Sequence, residues 1–164
     1  MATEARFSIS IDINAPMRRV FEVMTDTDRW HEWTPSVTSI KRLNDGPFAV
    51  GSRAVVRQPK FPPALWTITA IDDRSFTWEN RAPGIRVIGH HSAERTTNGS
   101  RATLSLRYQG LLARLLARLT RGITNRYLEM EAKGLKARAE NPYFNYRGSE
   151  MPDPRNLAAE TQRR

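Results

Sequence analysis

The chain begins with a strict alternation of apolar and polar residues. This period of two is the pattern of a β-strand with one buried face. The apolar positions are Phe7, Ile9, Ile11 and Ile13. Asn14-Ala15-Pro16 then opens a short helix, because proline suits a helix start, and a second short helix is predicted around Thr27 to Trp33.

Strand-like segments separated by turn residues fill the middle of the chain. Pairs such as Asp45-Gly46, Pro83-Gly84 and Asn98-Gly99 are typical of tight turns. The sequence from Pro59 to Pro63 predicts a stiffer link between strands, whose prolines cannot donate hydrogen bonds to a neighbouring strand. Successive strands joined by short turns favour an antiparallel meander. The predicted strands are 37–43, 52–58, 64–72, 75–82, 85–96 and 101–109.

One long amphipathic helix is predicted from Leu112 to Ala139, with its large apolar residues at spacings of three and four. Seven strands about 4.8 Å apart make a sheet roughly 30 Å across, whereas a helix is only about 10 Å wide. We therefore expect an α+β fold in which a curved seven-stranded antiparallel sheet wraps around the helix. A hollow should remain between them, and a small ligand would lie there.

Strand alternation predicts which side chains face this hollow. On the last strand Ala102, Leu104, Leu106 and Tyr108 face inward, and on the strand before it His91 faces inward while His90 faces outward. Large rings opposite small residues could instead interlock into a solid core. The inward-facing polar groups favour a cavity, because buried polar groups need partners. The inward positions on the other strands are Ala54, Val56, Gln58, Trp66, Ile68, Phe76, Trp78, Asn80, Ile85, Val87, Gly89 and Ala93.

The charge is strongly positive, with 26 Lys and Arg against 17 Asp and Glu. Arg114, Arg118 and Arg121 share one helix face, which is read as a solvated outer surface or as a site for an acidic acyl carrier protein. No nucleic-acid motif accompanies the charge, so no nucleic acid is expected. Peripheral membrane contact is disfavoured because the apolar side of this helix should face the sheet.

The chain of 164 residues has no cysteine, no export signal and no stretch that could span a bilayer. These features predict a cytoplasmic protein with no integral membrane association. One ligand-binding domain is expected over residues 1–140. Residues 141–164 are rich in proline and charge, which predicts a flexible tail in which Tyr143, Phe144 and Tyr146 could dock locally.

Several motifs together resemble the polyketide cyclase/dehydrase family of the START-like, helix-grip (SRPBCC) superfamily. The opening half carries Ser8 to Pro16, Val20-Phe21 and Trp30-His31-Glu32-Trp33. The closing half carries Gly89-His90-His91-Ser92, Asn98-Gly99-Ser100, Gly110, Arg126-Tyr127-Leu128 and Gly134-Leu135-Lys136. The resemblance extends over roughly residues 6 to 140.

This resemblance implies the helix-grip fold and an internal cavity for hydrophobic ligands, without fixing a reaction. Members of the family include aromatase/cyclases, lipid and sterol carriers and quinone-binding proteins. Many have a histidine followed two residues later by an aromatic residue on the penultimate strand. His91 matches this pattern, but Ala93 occupies the aromatic position.

Common catalytic motifs are missing from the sequence, including the Gly-x-Ser-x-Gly elbow, glycine-rich phosphate loops and the His-Glu-x-x-His zinc pair. Adjacent histidines on opposite strand faces cannot share an ion, so neither a metal nor a cofactor is expected. Catalysis would be acid/base work in which His91 moves the proton and Tyr108, Tyr127 or Asn80 orients an enolate oxygen. The alternative for His91 is a structural histidine with satisfied hydrogen bonds.

Two functions follow from these features. The first is binding of a hydrophobic or aromatic small molecule in the internal cavity. The second is a cofactor-free polyketide cyclase or dehydratase in which His91 and Tyr108 are catalytic. The predicted ligand-binding residues are Trp33, Val56, Gln58, Trp66, Ile68, Phe76, Trp78, Asn80, Val87, His91, Leu106, Tyr108, Leu115, Leu119, Ile123 and Tyr127.

Overall fold

The computed structural model describes residues 4–141, so the predicted tail lies outside the described residues except for Asn141. The strands are β1 (Glu4–Ile13), β2 (Ser39–Arg42), β3 (Arg53–Gln58), β4 (Phe61–Ile71), β5 (Ser75–Ala82), β6 (Ile85–Thr96) and β7 (Gly99–Gln109). The helices are α1 (Met17–Thr25), a 3₁₀ helix (Thr27–Glu32) and α2 (Ala113–Glu140).

All seven strands form one antiparallel sheet in the order β1-β7-β6-β5-β4-β3-β2. The first strand pairs with the last along its whole length, from Glu4 opposite Gln109 to Ile13 opposite Ser100. This pairing places β1 at one edge of the sheet and β2 at the other. The predicted curved seven-stranded sheet with a long C-terminal helix is therefore confirmed.

The strand β4 begins at Phe61, three residues earlier than predicted, so the proposed proline link is wrong for Pro62 and Pro63. Gln58 pairs with Phe61 around a tight turn, and the register of β3 and β4 shifts between Val56 and Gln58. Prolines cannot donate hydrogen bonds to a neighbouring strand. They are tolerated here because β4 has a bulge on one side and is only partly paired on the other. Pairing with β5 starts only at Thr67.

The helix α2 packs against β1 and β7, with α1 also in contact with it. Its buried residues are Ala113, Ala117, Thr124, Tyr127, Leu128, Glu131, Ala132, Leu135, Arg138 and Ala139. Small residues at the N-terminal end of this row allow close approach of the helix to the sheet.

The expectation that the leucine-rich side of this helix faces the sheet is wrong for Leu115 and Leu119. Their exposed fractions are 55% and 71%. At 3.6 residues per turn, both lie roughly opposite the row of Ala113 and Ala117. The sequence pattern predicted the wrong buried face because the large apolar residues lie on a different face of the helix from Ala113 and Ala117. We call the contact of these two alanines with the sheet the seam.

The convex face of the sheet is mainly polar but contains a buried pair at its centre. Ile88 is only 6% exposed although it points outward, and it lies opposite Glu79 on β5. The carboxylate of Glu79 is buried and accepts hydrogen bonds from Arg81 and Arg86. This ion cluster explains why an outward-facing acid can be withdrawn from solvent, since buried carboxylates need charged partners.

Candidate functional site

Aromatic rings fill the end of the concave face that lies beneath the short helices. Trp30 lies 5.3 Å from Trp33, 5.5 Å from Trp78 and 5.3 Å from His91 between ring centroids, and Trp66 lies 5.0 Å from Trp78. The indole Nε1 of Trp30 donates a hydrogen bond of 3.0 Å to the carbonyl oxygen of Met24, which fixes the ring.

This cluster closes the part of the predicted hollow around Trp78 and His91, and the half-buried Trp66 lies at its border. The void bordered by Arg42, Phe48, Ala54, Trp66, Ile68 and Trp78 measures about 10 Å³. A single water molecule needs roughly 10–15 Å³ of such volume. The expectation of a ligand-sized space at this position is therefore wrong, and the interlocked-core alternative describes this end of the molecule.

A buried histidine–carboxylate pair lies inside the aromatic cluster. Nε2 of His91 and Oε1 of Glu131 are 2.6 Å apart, and the two residues are 5% and 9% exposed. With Glu131 ionised, Nε2–H donates to the carboxylate, and the other ring nitrogen, Nδ1, is buried without a hydrogen-bond partner. Buried polar atoms in native proteins usually have such a partner.

Glu131 was not among the residues predicted from the sequence. It is a buried residue of α2 on the same helix face as Leu128 and Leu135, where an acid is unusual. The available signal was an acidic residue at a core position of a strongly basic helix. That signal requires knowing which helix face is buried, and the leucine pattern indicated the wrong face.

The ring of Trp78 covers Gly89, which is the inward position of β6 next to His91. A Cβ atom at Gly89 would lie 2.7 Å from Cδ1 of Trp78 and still closer to its Nε1. Phe76 stacks on His91 with centroids 4.7 Å apart and an interplanar angle of 5°. In this arrangement Trp78 separates His91 from Val87, the next inward residue toward the β5–β6 turn.

Toward the β5–β6 turn, the inward-facing side chains of the sheet are less buried. On β6 the inward residues Ile85 and Val87 are half-buried, whereas Gly89, His91 and Ala93 are buried. The same change occurs on β5, where Phe76 and Trp78 are buried and Asn80 is not. We call this partly buried region the groove, defined by Gln58, Phe61, Ala64, Trp66, Asn80, Ile85, Val87, Leu106, Leu116, Ile123 and Tyr127.

Polar groups of the groove are partly committed to the fold. Nδ2 of Asn80 donates to the carbonyl oxygen of Leu65 at 2.8 Å. The hydroxyl of Tyr127 accepts a hydrogen bond from the backbone N–H of Lys60, and its ring contacts Phe61 edge-on. The oxygen of Asn80 and the amide of Gln58 have no hydrogen bond among residues 4–141, so they are available to a ligand.

The predicted site residues therefore fall into three groups. Trp33, Val56, Ile68, Phe76, Trp78 and His91 lie in or beside the filled aromatic end. Leu115 and Leu119 lie on the outer surface of α2. Gln58, Trp66, Asn80, Val87, Leu106, Tyr108, Ile123 and Tyr127 lie at the groove end of the molecule.

The two predicted catalytic residues, His91 and Tyr108, are not brought together. His91 pairs with Leu104 across the sheet, whereas Tyr108 pairs with Val87. Four residues along β7 correspond to about 13 Å. The hydroxyl of Tyr108 instead lies 3.3 Å from Oγ1 of Thr124 in α2.

A second concavity, which the sequence did not predict, lies between α1, the loop after β2 and the C-terminal end of α2. It measures about 1180 Å³ and is open to solvent. Charged residues such as Arg18, Arg29 and Arg138 contribute to its walls, and Glu32 binds both Arg29 and Arg138. Its lining mixes these charged side chains with apolar ones such as Val23, Trp33 and Phe48.

The fold defines a helix-grip protein, a class that includes both carriers and enzymes. Residues 4–140 match the family described as polyketide cyclase / dehydrase and lipid transport, and the chain belongs to that family. None of the curated proteins matches the chain significantly.

Solved structures share the fold at low sequence identity. Ara h 8.0201 has a TM-score of 0.65 at 15% identity, covering 84% of this chain and 98% of that one. The Zhui aromatase/cyclase from Streptomyces sp. R1128 has a TM-score of 0.61 at 16% identity, covering 85% and 94%. Norcoclaurine synthase from Thalictrum flavum, in complex with dopamine and hydroxybenzaldehyde, has a TM-score of 0.63 at 12% identity, covering 84% and 86%.

Proposed function

We propose that this protein binds an elongated apolar or aromatic molecule in the groove between β4–β6 and the N-terminal half of α2. The observation that carries the proposal is the row of half-buried apolar residues on the concave face, of which Val87, Leu106 and Leu116 are the centre. Apolar surface left in water costs roughly 25 cal/mol per Å², so covering it with a ligand is favourable.

The chemistry of the groove supports a ligand with one polar end. Trp66 and Phe61 offer aromatic surfaces, and the side-chain oxygen of Asn80 and the amide of Gln58 offer a few directional hydrogen bonds. Mostly apolar walls with a few placed polar groups are typical of small-molecule sites. The family description, which includes lipid transport, supports the same class of ligand.

Uptake of the neutral dye Nile red tests this proposal. The double variant Val87→Asn/Leu116→Gln should bind the dye about tenfold more weakly, because it places polar groups in the wall. The matched control Leu43→Gln/Val50→Asn changes two exposed apolar residues elsewhere, 45% and 63% exposed, and should bind like the parent.

Absence of dye uptake by the parent protein, or equal uptake by the groove variant and the control, would refute the groove as a binding site. Circular dichroism checks that each variant is folded. If the double variant does not fold, the isosteric Val87→Thr keeps the test decisive, since it adds one hydroxyl without changing volume.

A second candidate function is cofactor-free cyclisation or dehydration of a polyketide-like chain, favoured by the His91–Glu131 pair. A carboxylate that fixes one ring nitrogen of a histidine leaves the other to accept or donate a proton. The unpartnered Nδ1 of His91 would meet the substrate, which requires the ring of Trp78 to move off Gly89. Tyr108 would act only as a distant groove residue. The carrier-protein partner and the cytoplasmic location stay predictions from the sequence.

Conversion of a linear poly-β-ketone thioester tests the second candidate. His91→Gln should abolish enzyme-dependent products, and Glu131→Gln should lower the rate because the ring loses its carboxylate partner. Product patterns that are the same for the parent, both folded variants and buffer would remove this chemistry from the protein while leaving the binding proposal intact.

A further inference from the structure

The outer face of the N-terminal half of α2 carries a row of exposed leucines. Leu111, Leu115 and Leu119 are 87%, 55% and 71% exposed. Leu111 lies in the turn just before α2, and Leu115 and Leu119 are four residues apart on one side of the helix. This row lies away from the seam at Ala113 and Ala117, and no described element covers it.

Four exposed arginines accompany the leucine row. They are Arg114, Arg118, Arg121 and Arg126. None of them has an ion-pair partner within residues 4–141. No acidic residue occurs in the sequence between Glu94 and Glu129, so the charge of this helix face is not neutralised locally.

We propose that this leucine–arginine face docks on an anionic lipid surface. Leucines that protrude singly from a convex helix suit insertion between lipid head groups, and guanidinium groups beside them suit the lipid phosphates. The helix would lie in the plane of the interface rather than cross it. Within the described part of the chain, no helix is long and apolar enough to span a bilayer.

Two other occupants fit the face less well. A second copy of this chain would place the same unpaired arginines against one another, and such like-charge contact disfavours a symmetric interface. An acidic protein would satisfy the charges. Such a partner would also need an apolar cleft on its own surface to receive the leucine row, because these leucines protrude from the helix and form no pocket.

The proposal does not depend on the groove. Leu115 and Leu119 are exposed on the outer surface of α2, whereas Leu116 packs with the apolar cluster that borders the groove. Substitutions at Leu115 and Leu119 therefore test the outer face and leave Nile red uptake by the groove unchanged.

Co-sedimentation with vesicles tests the proposal on the full chain. The parent protein should bind phosphatidylcholine vesicles that contain phosphatidylglycerol, bind pure phosphatidylcholine vesicles much more weakly, and lose binding as salt is raised. Leu115→Gln/Leu119→Gln and Arg114→Gln/Arg118→Gln should each reduce partitioning by about tenfold or more. These positions are exposed, so the variants should fold.

Matched controls remove the same groups elsewhere on the surface. Val50→Gln replaces an apolar side chain that is 63% exposed, and Arg57→Gln/Arg95→Gln removes two exposed arginines from the sheet. Both controls should bind the anionic vesicles like the parent.

Three results would overturn the proposal. The first is equal binding to anionic and neutral vesicles or equal binding by the face variants and their controls. The second is a dimer that forms without lipid and that dissociates into monomers in the leucine variant, which would assign the face to self-association. The third is binding of a purified acidic acyl carrier protein, lost in the arginine variant, with no binding to vesicles.

Discussion

Two adjacent histidines on β6 have opposite environments because successive strand residues point to opposite faces. His91 is enclosed by aromatic rings and hydrogen-bonds to Glu131, whereas His90 lies on the convex face with Nδ1 at 2.9 Å from Oγ1 of Thr77. The sequence predicted these opposite directions. It could not predict the partner of His91, because Glu131 is 40 residues away and approaches only through the packing of α2.

The environment of His90 makes folding stability depend on pH. Burial lowers the pKa of His90 below its ordinary value, and the neighbouring His91 lowers it further. The unfolded chain therefore takes up a proton near pH 6.5 before the folded protein does, so this residue makes the free energy of unfolding fall as pH falls below about 6.5. The stability that His90 contributes is fully present only above that pH.

We expect the urea midpoint of the parent protein to fall between about pH 7 and pH 5. His90→Gln should reduce this fall, because glutamine has no proton to gain. The exposed His31→Gln serves as the matched control and should retain the parental slope. Equal slopes for all three proteins would show that His90 does not set the pH dependence.

The helix α2 illustrates what periodicity can and cannot predict about an element. The predicted bounds, Leu112 to Ala139, agree with Ala113–Glu140 to within one residue. The predicted orientation failed because a hydrophobicity pattern ranks leucine above alanine. The close contact of α2 with β1 and β7 instead selects small residues for the seam, a preference that appears only after the two elements are packed.

Two glycines in this helix provide a matched test of the packing. At Gly134 an added Cβ would collide with the carbonyl oxygen of Trp33, whereas at Gly122 it would meet nothing within 4 Å. We expect Gly134→Ala to lower the free energy of unfolding by about 1–3 kcal/mol, since backbone atoms cannot yield easily. Gly122→Ala should raise it by about 0.5–1 kcal/mol through helix propensity.

Urea denaturation of the two variants measures both effects in the same helix. The opposite signs are the point of the comparison, because intrinsic propensity favours alanine equally at both positions. If both substitutions stabilised the protein, the close approach of α2 to Trp33 would be wrong.

At the scale of the whole molecule, the two ends of the concave face differ in how firmly they are packed. The C-terminal half of α2 is held by Trp33, by the His91–Glu131 pair and by Arg138, which donates to Glu32 at 2.8 Å. Lys136 also donates to the backbone oxygen of Asp12 at 2.7 Å. The N-terminal half of α2 makes few such hydrogen bonds to the rest of the protein and lies beside the groove.

Hydrogen exchange should reveal this difference. Amides of residues 114–121 should exchange faster than those of 127–139, because local opening of the first half exposes little buried surface. Mass spectrometry of peptides from the two halves provides the measurement, and a groove ligand should slow exchange in the first half selectively. Equal protection of both halves without ligand would contradict the predicted gradient.

The fold confirms the predicted seven-stranded antiparallel sheet with one long C-terminal helix. The location of the remaining space was not predictable from strand alternation. Trp30 comes from the 3₁₀ helix and Phe48 from the loop after β2, and both enter the concave face from outside the sheet. Ring positions contributed by loops depend on chain paths that periodicity does not describe.

The seam at Ala113 and Ala117 has a consequence for how such a scaffold diversifies. The methyl groups of these two alanines set the distance of α2 from β1 and β7. That distance in turn sets the space between α2 and the strands at the other side of the sheet. Larger side chains at these two positions would move the N-terminal half of α2 away from β1 and β7 and change the size of that space. The size of the ligand that the proposed groove accepts would then change without substitution of any residue in contact with the ligand.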